Sequence, residues 1–130
     1  GLKSFLVTSA GESVDIPQHY RRAEKRLRRL QRQLSRKQKG SKRRQKAIRR
    51  VAKLHQEVAN QRKDFHYKTA KQLLRGGQHI AHEDLNIKGL AKSRLAKSVT
   101  DAGWGQFLKI LSLKAASAGV STIAVNPNGT

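Results

Sequence analysis

Cysteine is absent from this 130-residue sequence, which removes disulfides and thiolate zinc sites. No run of about 18 apolar residues occurs, so no segment reads as a membrane span. Lys3 and Ser4 interrupt the opening apolar stretch before it reaches the length of a signal-peptide h-region. These absences point to a cytoplasmic protein. Aromatic residues are few and scattered (Phe5, Tyr20, Phe65, Tyr67, Trp104 and Phe107), which argues against a platform that stacks single-stranded bases one by one. Acids are scarce: 8 Asp+Glu stand against 29 Lys+Arg, for a formal charge of +21. The isoelectric point lies near 11.5. Such an excess says little about fold and much about partners: nucleic acid first, an anionic membrane second. The length suits one domain, or a piece of one.

The chain opens with strand-forming residues, Leu2 to Thr8. Ser9-Ala10-Gly11 is a turn, and Glu12 to Ile16 alternates polar and apolar before Pro17. This pattern predicts a β-hairpin over residues 1–18. From Tyr20 the character changes. Tyr20, Ala23, Leu27, Leu30 and Leu34 recur at heptad spacing, and the remaining face is almost all Arg, Lys and Gln. Gly40 suits a helix C-cap and Ser41 the next N-cap. A second helix is predicted from Lys42 to Leu74, with Ile48, Val51, His55, Val58, Phe65, Thr69 and Leu73 as its stripe and Ala47, Ala52, Ala59 and Ala70 alongside. At about 1.5 Å per residue it is roughly 50 Å long. The two helices should form an antiparallel hairpin over residues 19–75.

The tip of that hairpin concentrates charge. Arg36, Lys37, Lys39, Lys42, Arg43, Arg44, Lys46, Arg49 and Arg50 follow one another with no intervening acid. Like charges at i,i+4 destabilise a helix by a few tenths of a kcal/mol per pair. A solvated face normally mixes signs, so this tip reads as a phosphate-backbone contact, with a merely solvated basic face as the alternative. Nothing resembles a base-reading helix that presents Asn, Gln or Arg among small residues.

Residues 76–130 read as strand, helix, strand. After Gly76-Gly77, Ile80 to Asn86 is a short strand carrying Glu83 and Asp84. Alternation sends these two carboxylates to opposite faces, so at most one points into a given site. A carboxylate ending a strand in a very basic protein suits a Mg²⁺-dependent nuclease. On residue chemistry alone it better suits a strand end that pairs with a nearby cation, since ion-pair networks also collect carboxylates. His79 and His82 do not match the helical zinc motif, and three apart on a strand they face opposite sides. Asn86 to Gly89 is a loop, and Leu90 to Lys97 is irregular or weakly helical. Ser98-Val-Thr-Asp101 resembles a capping box, opening a helix to about Ala118 whose inward face is Val99, Ala102, Phe107, Ile110, Leu111 and the Lys114 stem. Gly103 and Gly105 suggest close approach of a backbone or a substrate, or else a tightly packed helix start. Gly119 caps the helix, Val120 to Val125 is a buried-type strand, and Asn126 to Thr130 is a turn. There is no internal repeat, no Gly-rich phosphate loop and no nucleophile–His set.

Several stretches together resemble one family. They are Gly1-Leu-Lys-Ser-Phe5, Leu30-Gln-Arg-Gln-Leu-Ser-Arg-Lys37, Val51-Ala-Lys-Leu-His55, Val58-Ala-Asn-Gln-Arg-Lys-Asp-Phe65, Glu83-Asp-Leu-Asn86 with Lys88-Gly89, and Leu95-Ala-Lys-Ser98 through Asp101-Ala-Gly-Trp-Gly105. In order and spacing they resemble the OrfB/TnpB proteins of bacterial insertion sequences, which are similar to the RuvC-like nuclease of type V CRISPR effectors. The resemblance implies an α/β, RNase H-like (RuvC-like) fold. It also implies DNA and a guide RNA as partners, nucleoid association in a prokaryote, and Mg²⁺-dependent DNA cleavage through three carboxylates. Glu83 matches the middle acid of that set and is the one expected catalytic and metal-binding residue. The first acid would lie two positions before Gly1, on a strand between the hairpin and the Glu83 strand. The third would lie after a zinc ribbon beginning beyond Thr130. The resemblance therefore predicts a partial fold, lacking its first strand, with a long basic antiparallel helical hairpin. It predicts an inactive fragment, marginally folded apart from its helices. The alternative is a non-enzymatic basic nucleic-acid binder or decayed remnant, in which the hairpin acts alone.

Overall fold

The structure, a computed structural model, describes residues 3–75, 79–92 and 96–126. The expected Gly76-Gly77 break, the Leu95 portion of the basic stretch and the turn from Pro127 to Thr130 lie outside the described residues, as do Gly1 and Leu2. The fold is mixed α/β. In order the elements are β1 (Ser4–Val7), β2 (Ser13–Asp15), α1 (His19–Ser35), α2 (Lys42–Leu73), β3 (Ile80–Glu83), α3 (Ile87–Ala91), α4 (Ala96–Ala102), α5 (Trp104–Ser117) and β4 (Thr122–Val125).

The strands form two separate pairs. β1 and β2 are antiparallel, with Leu6 opposite Val14 and Val7 opposite Ser13, and the register shifts between Ser4 and Leu6. Gly11, at φ 87°, takes the left-handed position that lets the turn close, with its N–H on the Thr8 carbonyl at 3.0 Å. β3 and β4 are parallel, with Ile80 opposite Thr122 and Glu83 opposite Val125. Among the described residues, no hydrogen-bonded ladder joins the two pairs.

α1 follows its heptad stripe: Leu27 is buried and Tyr20, Ala23, Leu30 and Leu34 are half-buried. It runs antiparallel to α2. His19 meets the Phe65 ring, Leu30 shares a cleft with Arg50 and Leu54, and Arg44 reaches the Leu34 carbonyl. α1 ends at Ser35, with Arg36 as its C-cap residue, so Gly40 does not cap it. Gly40 instead takes φ 80° inside the connection, and Ser41 caps α2 as expected, accepting the Arg44 N–H at 3.1 Å.

The face of α2 differs from the expected stripe. Its buried residues are Ala47, Leu54, Val58, His66, Thr69 and Ala70, while Ile48 and His55 are exposed. Ala52 and Ala59 are exposed too. Beyond Val58 the helix packs on α5 as well as α1, and its inward face widens to take Arg62, Phe65 and His66 together.

The core gathers Phe5, Ile16, Ala70, Ala102, Phe107, Ile110 and Leu111. Phe5 meets Phe65 and Phe107 edge-on, at centroid distances of 5.0 and 4.9 Å. The Trp104 indole donates to the Phe5 carbonyl at 2.9 Å. Four of the six aromatics scattered along the sequence (Phe5, Phe65, Trp104 and Phe107) thus converge on the core, while Tyr67 is exposed.

The carboxyl-terminal part has more breaks than expected. The loop at Asn86 begins α3, with the Asn86 side chain accepting the Gly89 N–H at 3.0 Å. The expected helix from Ser98 is two helices, α4 and α5, parted by Gly103 at φ 65°. Asp101 stands near the end of α4 rather than in an opening capping box. The inward residues Val99, Ala102, Phe107, Ile110 and Leu111 are all buried. Gly119, at φ 74°, closes α5, with Val120 N–H on the Ala115 carbonyl at 2.9 Å. β4 is not a buried strand: Ile123 is 57% and Val125 50% exposed, and only Val120 before it is buried.

Candidate nucleic-acid interface and carboxylate site

The hairpin tip is held by its own side chains. Ser41 Oγ donates to the Gln38 carbonyl at 2.8 Å while accepting from Arg44 N–H. Arg44 Nη1 donates to the carbonyls of Leu34 and Lys37, at 3.3 Å each. These carbonyls lie at and just beyond the end of α1; that of Leu34 also accepts the Lys37 N–H at 3.1 Å, and Arg44 adds a cation at the negative end of the helix dipole. Arg44 and Lys37 are accordingly half-buried. Arg36, Lys39, Lys42, Arg43, Lys46, Arg49 and Arg50 remain exposed around the same tip. Sequence placed nine cations together. The structure keeps them together but gives Arg44 a structural task.

Glu83 is exposed at the end of β3 and lines a groove of about 440 Å³. β1 and β3 both line that groove, together with Leu73, Trp104, Phe107, Leu108 and Leu111. Asp84 follows as an exposed residue, its N–H on the Val125 carbonyl at 2.9 Å. Among the described residues no three His, Asp or Glu side chains come together as a metal site. Nor is Glu83 in any of the ion pairs found among the described residues, which link Arg28 to Glu24, Arg62 to Asp101 and Lys68 to Asp64. The histidines beside it serve the backbone. His79 Nδ1 lies 3.0 Å from Ser121 N and 2.7 Å from Ser121 Oγ, tying the approach to β3 onto that of β4. His82 Nδ1 lies 3.0 Å from the Glu83 carbonyl.

One cluster escaped the sequence reading. Asp101, 4% exposed, accepts the Tyr20 N–H at 2.9 Å through Oδ1. The N-cap residue of α1, Gln18, makes no side-chain cap, so Asp101 performs that task from α4. Arg62 donates to the same carboxylate at 3.2 Å. His66, fully buried, shares its Nε2 with the Ala102 carbonyl at 2.8 Å. Burial lowers the His66 pKa, opposed by the Ala102 hydrogen bond and reinforced by Arg62 and His19. Burial likewise lowers that of His19, opposed chiefly by Asp101. The sequence did carry a signal here: Arg62 follows Val58 by four on the inward face, and a cation there calls for a buried partner. At Gly103 the structure shows the tightly packed helix start rather than a backbone or substrate, since a Cβ there would lie 3.0 Å from the side-chain atoms Arg62 Cδ and His66 Cε1. Gly105 is not so packed, its nearest neighbour being Ile87 Cγ2 at 4.0 Å.

No described helix is long and apolar enough to cross a membrane. A family model described as "Probable transposase" matches residues 1–94. A curated protein of Streptomyces pristinaespiralis, named "Putative RNA-guided DNA endonuclease", is 37% identical over 127 residues. That alignment takes in 97% of this chain and 32% of the relative, so the chain spans about a third of the relative's length. On both matches, the chain belongs to the OrfB/TnpB family of transposon-encoded proteins.

Proposed function

We propose that this chain is the RuvC-like part of an RNA-guided DNA endonuclease, with Glu83 as one of its metal-binding carboxylates and the hairpin tip on nucleic acid. The observation that carries this reading is the groove shared by β1 and β3, with Glu83 along its wall. Each of these strands is paired along one edge among the described residues. An additional strand laid in the groove would join the two pairs into one sheet and could bring a second carboxylate beside Glu83. That is the arrangement of an RNase H-like fold. The relative's greater length supports the existence of such a segment in proteins of this kind.

Mg²⁺ in this reading belongs to the completed carboxylate set, and a lone Glu83 cannot hold the ion pair that such cleavage uses. The 130 residues alone therefore bind DNA or RNA and do not cut, and their working place is the cytoplasm, at the nucleoid. The lack of a three-ligand cluster among the described residues favours a second reading, a non-enzymatic nucleic-acid binder acting through its hairpin.

The test is Mg²⁺- or Mn²⁺-dependent cleavage of single-stranded DNA by the chain, beside Glu83→Ala. Salt-sensitive binding by both proteins with cleavage by neither is the expected result. Cleavage that Glu83→Ala abolishes would show that other acids of this chain complete the site, with Asp84 the first to substitute. To separate the two readings, a strand peptide bearing Asp is added. Restored cleavage supports the nuclease reading, and binding without any restored cleavage supports the second.

A further inference from the structure

The hairpin tip is not the only dense array of cations. Arg21, Lys25, Arg28, Arg29 and Arg32 are all exposed on α1. At about 100° per residue they fall on the side of the helix opposite buried Leu27. The face they make is distinct from the tip and runs back along the helix axis. From Arg21 to Arg32 it is roughly 16 Å long, which is the rise of about five base pairs on a duplex. Arg21, Lys25, Arg28, Arg29 and Arg32 line one shallow concavity with Glu24. Glu24 is the acid of this face, and Arg28 holds it at 2.9 Å.

We propose that the outer face of α1 is a second phosphodiester-binding surface, separate from the tip, that follows a nucleic-acid backbone for about half a helical turn. The inference rests on the reading of the chain as a nucleic-acid binder and adds where the backbone runs. Three observations support it. Cations at i,i+3 and i,i+4 repel one another along α1, and a polyanion relieves that repulsion. All but Lys25 are Arg, whose guanidinium fork fits phosphate oxygens two at a time. The face offers no apolar side chain to insert into a bilayer, which sets it apart from a membrane-surface helix.

The experiment compares two variants of the 130-residue chain. One carries Lys25→Gln, Arg28→Gln, Arg29→Gln and Arg32→Gln. The other carries Lys39→Gln, Lys42→Gln, Arg43→Gln and Lys46→Gln at the tip. Binding is measured against salt on a duplex DNA, on a structured RNA of equal charge, and on anionic phosphatidylserine vesicles. Each lost phosphate contact removes about 0.9 from the logarithmic salt slope on duplex DNA. The α1 variant should lose about 3 to 4 from that slope, as should the tip variant, and the losses should add. A larger effect on one nucleic acid identifies which backbone the face follows. An unchanged slope in the α1 variant, with a reduced slope in the tip variant, overturns the second surface and leaves the proposed function standing. Unchanged slopes in both overturn both. A larger loss on vesicles than on either nucleic acid also overturns it. Should the α1 variant lose its helical circular dichroism, lysine acetylation of the native chain decides: Lys25 protected by duplex DNA or RNA supports the surface, and Lys25 equally modified with and without them overturns it.

Discussion

Arg62 grips Asp101 twice, through Nε to the main-chain oxygen at 2.7 Å and through Nη2 to the carboxylate at 3.2 Å. The same carboxylate oxygen caps α1 through the Tyr20 N–H. One contact set thus joins the start of α1, the middle of α2 and the end of α4. It ties the basic hairpin to α4. The Asp101 side chain is 1% and that of Arg62 19% exposed, so the pair is largely withdrawn from water.

Removing one partner of such a pair strands the other. Asp101→Ala also deletes the cap of α1, worth about 1 kcal/mol by itself. We expect Asp101→Ala to cost about 2–4 kcal/mol in urea unfolding. Asp101→Asn keeps an acceptor for Tyr20 N–H and should cost clearly less. Equal losses for the two would show that the carboxyl oxygen is not the cap. The hub was hard to read from sequence because its partners lie 39 and 81 positions apart. Asp101 also had an attractive local explanation, as the last residue of a capping box. What was legible was periodic or punctuated: the α1 heptads, the Ser41 cap, the Gly119 stop. The strand ending at Glu83 was legible from its short apolar run after Gly76-Gly77. The groove beside it was not, because β1 and β3 are far apart in the chain and no local pattern records that they share it.

The pH dependence of stability follows from His19 and His66. Both have folded-state pKa values lowered from the usual 6.5, burial being the largest cause. The unfolded chain therefore binds more protons than the folded one below about 6.5, and stability falls with pH there. Their contribution is neutral above 6.5, declines as pH drops through it, and levels off below the lowered folded values. Arg62 and Arg22 oppose charging of this cluster, while Asp101 and Asp64 favour it. The urea midpoint should drop between pH 7.5 and pH 5. A His19→Gln/His66→Phe double variant should show a smaller drop, whatever its stability at pH 7.5. An undiminished drop would place the titration elsewhere.

α2 supplies a test of register. Leu54 is 5% exposed and Ile48 47%. Leu54→Ala should cost about 2–4 kcal/mol through lost burial and a residual cavity. Ile48→Ala should stay within about 0.5 kcal/mol. The order would reverse if α2 used the face that apolar periodicity alone suggests. The sequence was ambiguous here because Ala47 and Ile48, like Leu54 and His55, are adjacent. A long helix that changes partners along its length does not keep one stripe.

The two glycines flanking Trp104 should behave oppositely. Gly103 combines φ 65° with close contacts to Arg62 and His66, so Gly103→Ala should cost about 1–3 kcal/mol. Gly105 lies within α5 with its nearest neighbour at 4.0 Å. Gly105→Ala should stabilise by about 0.4–1 kcal/mol, because the unfolded chain loses freedom and the helix gains propensity. Thermal midpoints of the two variants read both signs directly.

Arg43 and Arg44 are neighbours in the densest run of cations, yet the structure separates their tasks. Arg44 is half-buried and its Nη1 closes the end of α1 on the Leu34 and Lys37 carbonyls. Arg43 is exposed. Arg44→Gln should therefore lower stability by about 0.5–1.5 kcal/mol, the worth of one hydrogen-bonding group at a helix end, and leave the salt slope of DNA binding nearly unchanged. Arg43→Gln should leave stability within about 0.5 kcal/mol and reduce the slope by about 0.9. Urea unfolding and salt-dependent binding, run on the same two proteins, give four numbers. If Arg44→Gln instead lost as much slope as Arg43→Gln at unchanged stability, its guanidinium would have to leave those carbonyls for phosphate whenever nucleic acid binds.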